Sequence, residues 1–339
     1  MKCDIVMPVW NNKELTSQCL DSVFENTDCD YRVIIIDNAS DESTLAYLND
    51  VKNSHPDKIA LIRNQVNLGF TKAVNQGIAN SSDGYVCILN NDVIVFSGWL
   101  SEMMRIAESS KDIGIVNPSN NFGAKKPRDK TLEQYAKDKT DGKKGLWVET
   151  ATPVGFCYLI KREVINRIGM FDERFNPGYF EDTEYALRAR AAGYKAVFAK
   201  GAFVFHIEHT SFKKRGLNRF FKQSEEKFYE MHKRPKRALF VLSKYNASDY
   251  EKVSDRSAQL ADKGAWVLIY LKKSAPKIQV PNHTHVRAFY FTRLFFNAKI
   301  LFKILFKKKR FTDIFVDKRN FLSLLKKFKK WHTADVYLV

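Results

Sequence analysis

The chain has 339 residues, 45% of them hydrophobic, and a formal net charge of +18. It is too long for one average domain, fits two, and can bury a real core. Its five cysteines (Cys3, Cys19, Cys29, Cys87 and Cys157) show no Cys-x-x-Cys spacing, which argues against a disulfide framework or zinc site and for reduced cytoplasmic thiols. Ile5–Trp10 is too short for the apolar core of a secretory signal, and no apolar run approaches the length of a bilayer span. The charge is uneven: residues 1–200 mix both signs, while Lys213 to Lys330 is heavily basic. Such a field favours polyanionic partners, among them nucleic acid, an anionic membrane and phosphorylated substrates.

In chain order, Asp4–Val9 reads as a strand, followed by a polar turn at Asn11-Asn12 and a helix over Lys13–Asn26 with Leu15, Cys19, Leu20, Val23 and Phe24 at helical spacing. Tyr31–Ile36 is a continuous β-branched run, the mark of a parallel strand covered on both faces, and it stops at Asp37-Asn38-Ala39-Ser40-Asp41. A helix over Thr44–Lys52, a strand at Ile59–Arg63, a loop through Asn64–Gly69 and a helix over Phe70–Ala79 come next.

The stretch Cys87–Phe96 then places Asn90-Asn91-Asp92 between two apolar flanks. A polar triplet cannot stand unpaired inside a core, so the strand is expected to end at Leu89 and present the triplet at its tip. By itself the triplet reads equally as a polar turn. The β-α-β-α-β-α-β order predicts an α/β fold with a doubly wound, mostly parallel sheet. Polar strand tips at Val9-Trp10-Asn11, Asp37-Asn38 and Asn90–Asp92 would share one rim, where open α/β sheets bind ligands. No Gly-x-Gly-x-x-Gly follows the first strand and no phosphate-binding Gly-x-x-x-x-Gly-Lys motif is present, which disfavours dinucleotide and P-loop readings.

Farther on, Gly98–Ser109 reads as a helix and Pro118–Leu146 as a mobile polar loop over the rim. Val154–Ile160 is a strand, Arg162–Ile168 a short helix, Phe171–Phe180 a loop, and Glu181–Ala192 a helix ended by Gly193. Ala196–Phe198 and Phe203–His206 read as two short strands, and Leu217–Met231 as a basic helix.

The succession Ile-Val-Met-Pro-Val-Trp-Asn, Ile-Ile-Asp-Asn-Ala-Ser, Asn67-Leu68-Gly69-Phe70, Asn-Asn-Asp and Gly178–Gly193 resembles glycosyltransferase family 2 over about residues 1–232. The resemblance lies nearest to rhamnosyltransferase-like polysaccharide enzymes. It implies a GT-A fold and inverting transfer from a nucleotide-diphospho-sugar carrying uridine or thymidine. It places Val9, Asn11, Asp37, Asn67, Lys72, Asn90, Asn91 and Asp92 at the donor, Glu181 and Gly155 on the acceptor side, and Asp182 as the general base. Asp92 with His206 would hold Mn²⁺ or Mg²⁺. Asn90 departs from the family's Asp-x-Asp and removes one negative ligand, though its amide oxygen can still coordinate.

Each residue also has a plain structural reading. Asp37 can close an Asx turn on Ser40. Asn67-Leu68-Gly69 can be a turn and cap. Glu181 and Asp182 stand at a helix start, where carboxylates cap and oppose the dipole; such bonds would depress the Asp182 pKa and keep it ionised. His209 competes with His206, and Lys213, Lys214 and Arg215 can neutralise phosphates or form a solvated face.

After Lys233-Arg234-Pro235, strands are expected at Ala238–Leu242, Ala265–Tyr270, His285–Phe291 and Ala334–Val339, with a helix over Tyr250–Lys263. Two basic amphipathic helices follow His285–Phe291. In the first, Leu294, Ala298, Leu301, Phe302 and Leu305 face Arg293, Lys299, Lys303 and Lys307; in the second, Phe321, Leu324, Leu325, Phe328 and Trp331 face Lys326, Lys327, Lys329 and Lys330. They suit an anionic membrane surface or lipid-phosphate acceptor, and equally a small basic α/β domain. Residues 233–339 weakly resemble the truncated start of a GT-B glycosyltransferase domain.

The expectation is therefore a cytoplasmic transferase, peripheral on the inner membrane face, acting on a glycan or lipid-linked acceptor in cell-surface polysaccharide synthesis. The alternative is a non-catalytic membrane- or polyanion-binding protein. Retention of Asp37, Asp92 and Asp182 at motif positions argues against it, and the lack of an RNA-module aromatic cluster argues against nucleic acid.

Overall fold

The computed structural model describes residues 2–82, 84–121, 129–207, 217–244, 247–273, 279–292 and 294–339. By internal contacts the chain divides into two units, Met1–Val148 with Thr152–His232, and Lys233–Val339 with Glu149–Ala151.

The first unit begins with β1 (Cys3–Val9), α1 (Lys13–Asn26), β2 (Tyr31–Asp37), α2 (Glu42–Ser54), β3 (Ile59–Arg63), α3 (Phe70–Ala79) and β4 (Tyr85–Leu89). It continues with β5 (Val93–Val95), α4 (Trp99–Glu108), β6 (Ile113–Asn120), α5 (Leu132–Thr140), β7 (Trp147–Thr150) and β8 (Cys157–Lys161). It ends with α6 (Arg162–Ile168), α7 (Glu181–Ala191), β9 (Lys195–His206) and α8 (Leu217–Met231). The strands form one sheet in the order β3-β2-β1-β4-β8-β6-β9-β5, with β7 on β9.

β3, β2, β1 and β4 run parallel, whereas β8 runs antiparallel to both β4 and β6. Period-two alternation explains the two cores. Ile5, Met7, Val33, Ile35, Cys87 and Leu89 enter one buried cluster with α1 and α4. Val6, Val86 and Ile88 enter another with Val74 and Ile78 of α3. A sheet covered on both faces needs such uninterrupted apolar strands. Each large side chain removed from water contributes roughly 1.5–3 kcal/mol.

The second unit holds β10 (Arg237–Leu242), α9 (Ala247–Asp262), β11 (Trp266–Lys272), β12 (Val286–Phe291), α10 (Phe296–Leu305), β13 (Asp313–Val316), α11 (Arg319–Lys327), α12 (Lys329–His332) and β14 (Asp335–Leu338). Its five strands are all parallel, in the order β12-β11-β10-β13-β14.

The structure corrects two sequence expectations in the first unit. Pro118–Leu146 is not one loop: β6 runs through to Asn120, and Leu132–Thr140 is a helix closed by a reciprocal Thr131–Gln134 capping box. β6 escapes a periodicity search because Gly114, Asn117 and Pro118 break its apolar run. The two strands expected over 196–206 are one, β9, whose pairing with β6 shifts register between Pro118 and Ser119. That irregularity absorbs Lys200-Gly201, the residues that read as a break. In the second unit, β13 is four residues long and opens on an aspartate, too short and too polar to stand out.

α3 lies so close to β1 that a Cβ on Gly77 would meet Val6 Cγ1 at 2.2 Å. Helix propensity alone would make Gly77→Ala stabilising by about 1 kcal/mol. The contact reverses the sign. Gly77→Ala is expected to lower stability in denaturant titration by about 1–3 kcal/mol, the cost of overpacking, and a gain would mean that α3 does not sit against β1.

Candidate active site

The rim follows from strand order. β2, β1 and β4 are neighbours with Val9 level with Asp37, and Val6 pairs with Ile88, which brings the end of β1 level with the triplet after Leu89. The β1 and β2 tips are tied together: Asn38 N–H donates to Val9 O at 2.7 Å, Asn11 N–H to Ser40 Oγ at 2.9 Å, and Asp41 N–H to Asn11 Oδ1 at 2.8 Å. Asn11 itself takes a left-handed conformation, φ 57°, which asparagine tolerates better than most residues.

Asp37 is fully buried. Its Oδ1 accepts from Ser40 N–H at 2.9 Å, the Asx turn, and its Oδ2 is paired with Arg63. Sequence reasoning passed over Arg63, although a charge ending an apolar strand is a usable signal. Asn38 is the hub of the next loop: its side chain donates to Asn67 Oδ1 at 2.8 Å and accepts from Leu68 N–H at 2.9 Å. Asn67 also accepts from Gly69 N–H, so its side chain builds the turn into α3. Lys72 stands exposed on α3.

The antiparallel return of β8 completes the rim. Leu89 pairs with Cys157, and Asn90 N–H donates to Phe156 O at 2.9 Å. Asn91 Nδ2 donates to Thr16 Oγ1 of α1 at 2.8 Å. Asn90 Oδ1 is buried and has no hydrogen-bond partner among the described residues. Asp92 lies beside His206 because β5 pairs with the end of β9, Val93 opposite His206; His206 Nε2 is 3.1 Å from Asp92 Oδ1. The imidazole stacks on Phe156 at 4.5 Å, and its backbone is gripped on both sides by the Asn121 amide. Asn121, Asn38 and Arg63 are the positioning residues that the motifs did not reveal. His209, Lys213, Lys214 and Arg215 lie outside the described residues.

Gly155, just before β8, faces the start of α7. A Cβ there would lie 3.3 Å from Asp182 Oδ2 and 3.4 Å from Glu181 Oε1. A side chain there would press on both carboxylates and shift them by a few tenths of an ångström. Asp182 Oδ1 accepts from Thr183 N–H at 2.6 Å and from Thr183 Oγ1 at 3.1 Å, and the Gly155 N–H also bonds the carboxylate. The expectation that such bonds hold the Asp182 pKa down fails. Burial outweighs them and raises it.

Glu181 is 6% exposed, and its Oε2 has no partner among the described residues. Burial first, and the neighbouring Asp182 charge second, push its pKa up to about 8. Two adjacent residues, Tyr179 and Phe180, enter α7 with φ of 72° and 69°, a conformation that costs bulky residues on the order of 1–3 kcal/mol each. α8 holds this turn: Ser224 Oγ donates to Gly178 O at 2.9 Å, and Phe228 packs on Phe180 at 5.0 Å.

A separate group of metal-capable side chains belongs to the second unit, where Glu149, Asp262 and His283 offer ligand atoms within 4.8 Å of one another. Among the described residues, no helix is long and apolar enough to cross a membrane.

The raised Glu181 pKa has a sign that can be measured. Between about 4.5, the ordinary glutamate range, and about 8 the folded state holds a proton that the unfolded state has lost, so stability falls as pH rises through this window. Glu181→Gln removes the penalty. It is expected to match the parent protein near the acid end of the window and to exceed it on the order of a few kcal/mol above the upper end. A parallel pH dependence of the two proteins in urea unfolding would refute the assignment.

Comparison with known proteins agrees with this geometry. Residues 4–169 match the model of glycosyl transferase family 2. The poly(ribitol-phosphate) beta-glucosyltransferase of Bacillus spizizenii is 35% identical over 95 residues, which cover 27% of this chain and 15% of that protein. The glycosyltransferase YwdF of Bacillus subtilis is 27% identical over 194 residues, 56% of this chain and 68% of the relative. This chain thus aligns with only a small part of the first of these relatives. Among solved structures, the mannosyltransferase PcManGT of Pyrobaculum calidifontis, in complex with GDP-Man and Mn²⁺, superposes with a TM-score of 0.51 at 20% identity, covering 69% of this chain and 65% of that one. The shared architecture is the GT-A fold, and residues 4–169 form a glycosyltransferase family 2 domain.

Proposed function

We infer that the first unit catalyses inverting transfer of a sugar from a nucleotide-diphospho-sugar to a hydroxyl of a glycan or lipid-linked acceptor. The observation that carries this reading is the Asp182 carboxylate, held at the start of α7 against Gly155 on the rim that also presents Asp92 and His206. In such a step Asp182 takes the acceptor hydroxyl proton as the oxygen attacks the anomeric carbon. The bond to the nucleoside diphosphate breaks on the opposite face, and the carbon passes through an oxocarbenium-like state. A carboxylate whose pKa is raised by burial is the better base for this work. Glu181, with its pKa pushed up to about 8 by burial and the Asp182 charge, keeps a second negative charge away from the proposed base.

On the donor side, Val9, Asn11, Asn67, Lys72 and the triplet Asn90–Asp92 surround the nucleotide, with Asp37 held by Arg63 beneath the base or ribose. The donor set for a divalent cation is Asp92 Oδ1, His206 Nε2 and the unpartnered amide oxygen of Asn90. One carboxylate, one imidazole and one amide oxygen fit Mn²⁺ better than Mg²⁺, which prefers oxygen alone. When bound, the cation would neutralise charge building on the diphosphate leaving group. The solved mannosyltransferase carries Mn²⁺ and a nucleotide sugar, which supports this assignment. Uridine or thymidine is the base suggested by the family resemblance. The poly(ribitol-phosphate) substrate named for the Bacillus spizizenii relative, together with a net charge of +18, supports an anionic cell-surface glycan as acceptor. A location on the inner face of the cell membrane is consistent with a lipid-linked form of it.

The first test is a thermal-shift panel of nucleoside diphosphates and diphospho-sugars with Mn²⁺, with Mg²⁺ and with chelator, since a ligand of the native state alone must raise the melting temperature. A shift with UDP or dTDP that is larger with Mn²⁺ is expected. No shift with any nucleotide would turn the reading to the non-catalytic alternative. Asp182→Asn is expected to lower turnover by about 10²–10⁴-fold with donor binding nearly intact, and a fully active variant would remove Asp182 as base. Asp92→Ala should weaken donor binding only when metal is present; equal loss with chelator would show that Asp92 acts without an ion.

A further inference from the structure

α10 carries two apolar stripes, and the fold uses one. Phe296, Ile300 and Ile304, spaced four apart, are 0–4% exposed and pack with Leu239, Val241, Ile314 and Val316 of the second sheet. Of the face expected from the sequence, Leu294, Ala298, Leu301, Phe302 and Leu305, Leu301 packs against this core while Leu294, Ala298 and Phe302 stay exposed. Leu294, Phe295, Phe302 and Phe306 remain 62–69% exposed. Phe302 and Phe306 lie one turn apart with ring centroids at 4.4 Å. Phe295 caps the helix with φ 54°, an unfavourable conformation for a bulky residue, and its ring still points away from the core. By contrast, α11 buries Phe321 and Leu325 in the same core, as a helix of a small α/β domain should.

Beside the exposed rings lies a groove of about 590 Å³, whose walls include Tyr270, Phe291, Phe302 and Phe306 and the lysines 299, 303 and 307. None of these lysines pairs with a carboxylate among the described residues. Lys299 donates to Thr292 Oγ1 at 2.8 Å, Lys303 sits over the Phe291 ring, and Lys307 over the Phe311 ring. Partial burial, with Arg237 and Lys303 nearby, pulls the Lys307 pKa down; an anion at this place would relieve both effects. The sequence contains no Asp or Glu from Lys263 to Thr312, so the surroundings of the groove supply cations alone. Arg293, counted among these cations from the sequence, lies outside the described residues.

We propose that the exposed face of α10 and its groove bind the surface of an anionic phospholipid bilayer, with Phe302 and Phe306 entering the acyl boundary and Lys299, Lys303 and Lys307 meeting the headgroups. The chemistry selects this occupant. Lysines interleaved with aromatic rings on one helix face are the pattern of interfacial helices, and each lysine held near an anionic surface strengthens attachment. A soluble polyanion would satisfy the lysines and leave four large apolar side chains in water. The reading is independent of the transferase assignment, because vesicle binding needs no sugar nucleotide.

The test is co-sedimentation of the full chain with vesicles of phosphatidylcholine alone and of phosphatidylcholine mixed with phosphatidylglycerol. Binding is expected to the mixed vesicles, weakened by salt, and not to phosphatidylcholine. Phe302→Ser with Phe306→Ser, and separately Lys299→Gln with Lys303→Gln and Lys307→Gln, should each lower the binding more than about tenfold while the melting temperature stays unchanged. Because Lys299 and Lys303 are exposed, the lysine set keeps the test decisive should the aromatic set lower the melting temperature. No binding to mixed vesicles would overturn the proposal. So would full binding by the aromatic variant together with displacement of the parent by inorganic polyphosphate, which would make the groove a site for soluble polyanions.

Discussion

The candidate site depends on one pairing, the antiparallel run of β8 against β4. A purely parallel continuation would carry the chain after the triplet to the far end of the sheet. The reversed strand instead delivers Gly155 and Phe156 to the tip of β4, where Phe156 O accepts from Asn90 N–H. Phe156 then stacks on His206 and fixes the imidazole beside Asp92, while Gly155 opens the space that brings α7 in. The triplet and the Glu181–Asp182 pair, ninety residues apart in sequence, therefore meet the same short segment. Loss of the β4–β8 register would separate them even if every helix were intact.

That arrangement is maintained against cost. Two carboxylates on consecutive residues at a partly buried helix start repel each other and lose hydration, and the helix dipole offsets only a fraction of it. The chain answers with a proton on Glu181 and with hydrogen bonds from Thr183 and Gly155 on Asp182. The approach to α7 adds two left-handed bulky residues, held by aromatic packing from α8. Strain and unsatisfied polarity gathered at one place are what a binding surface leaves behind when it is not optimised for stability.

The legible part of the sequence was the part governed by local periodicity. α1 and α3 fall on the residues where their helical apolar spacing places them, and β3, α6 and α8 also keep the expected bounds. What failed was non-local. β6 is held by its neighbours on both sides and needs no continuous apolar run, so Gly114 and Pro118 hide it. The antiparallel insertion of β8 has no signature in its own residues. At the rim, carboxylates could be read as motif positions, but Arg63, Asn38 and Asn121 act through partners distant in sequence, and only the folded sheet reveals them. The Asp182 pKa departs from the sequence expectation for a related reason: its Thr183 hydrogen bonds are local and visible in the sequence, whereas burial belongs to the whole fold. The two-faced α10 shows the limit from the other side, since a periodic pattern tells that a helix is amphipathic without telling which of two apolar faces the core takes.

The charge balance of the rim gives the replacement at Asn90 a physical meaning. An aspartate there would place a second buried carboxylate beside Asp92, and its unpartnered oxygen would demand a cation at all times. The neutral amide does not. Asp37 is already balanced by Arg63, and Glu181 carries its own proton near neutrality. The anionic groups left on the rim's motif positions are Asp92 and Asp182, with His206 beside the first. A diphosphate approaching such a rim meets less repulsion than it would from a fully ionised set, and it can bring the cation with it rather than find one resident. On this argument, the proposed site is expected to bind the metal weakly alone and strongly together with nucleotide. The departure from Asp-x-Asp would then change the order in which ligands assemble, without touching Asp182, the proposed base.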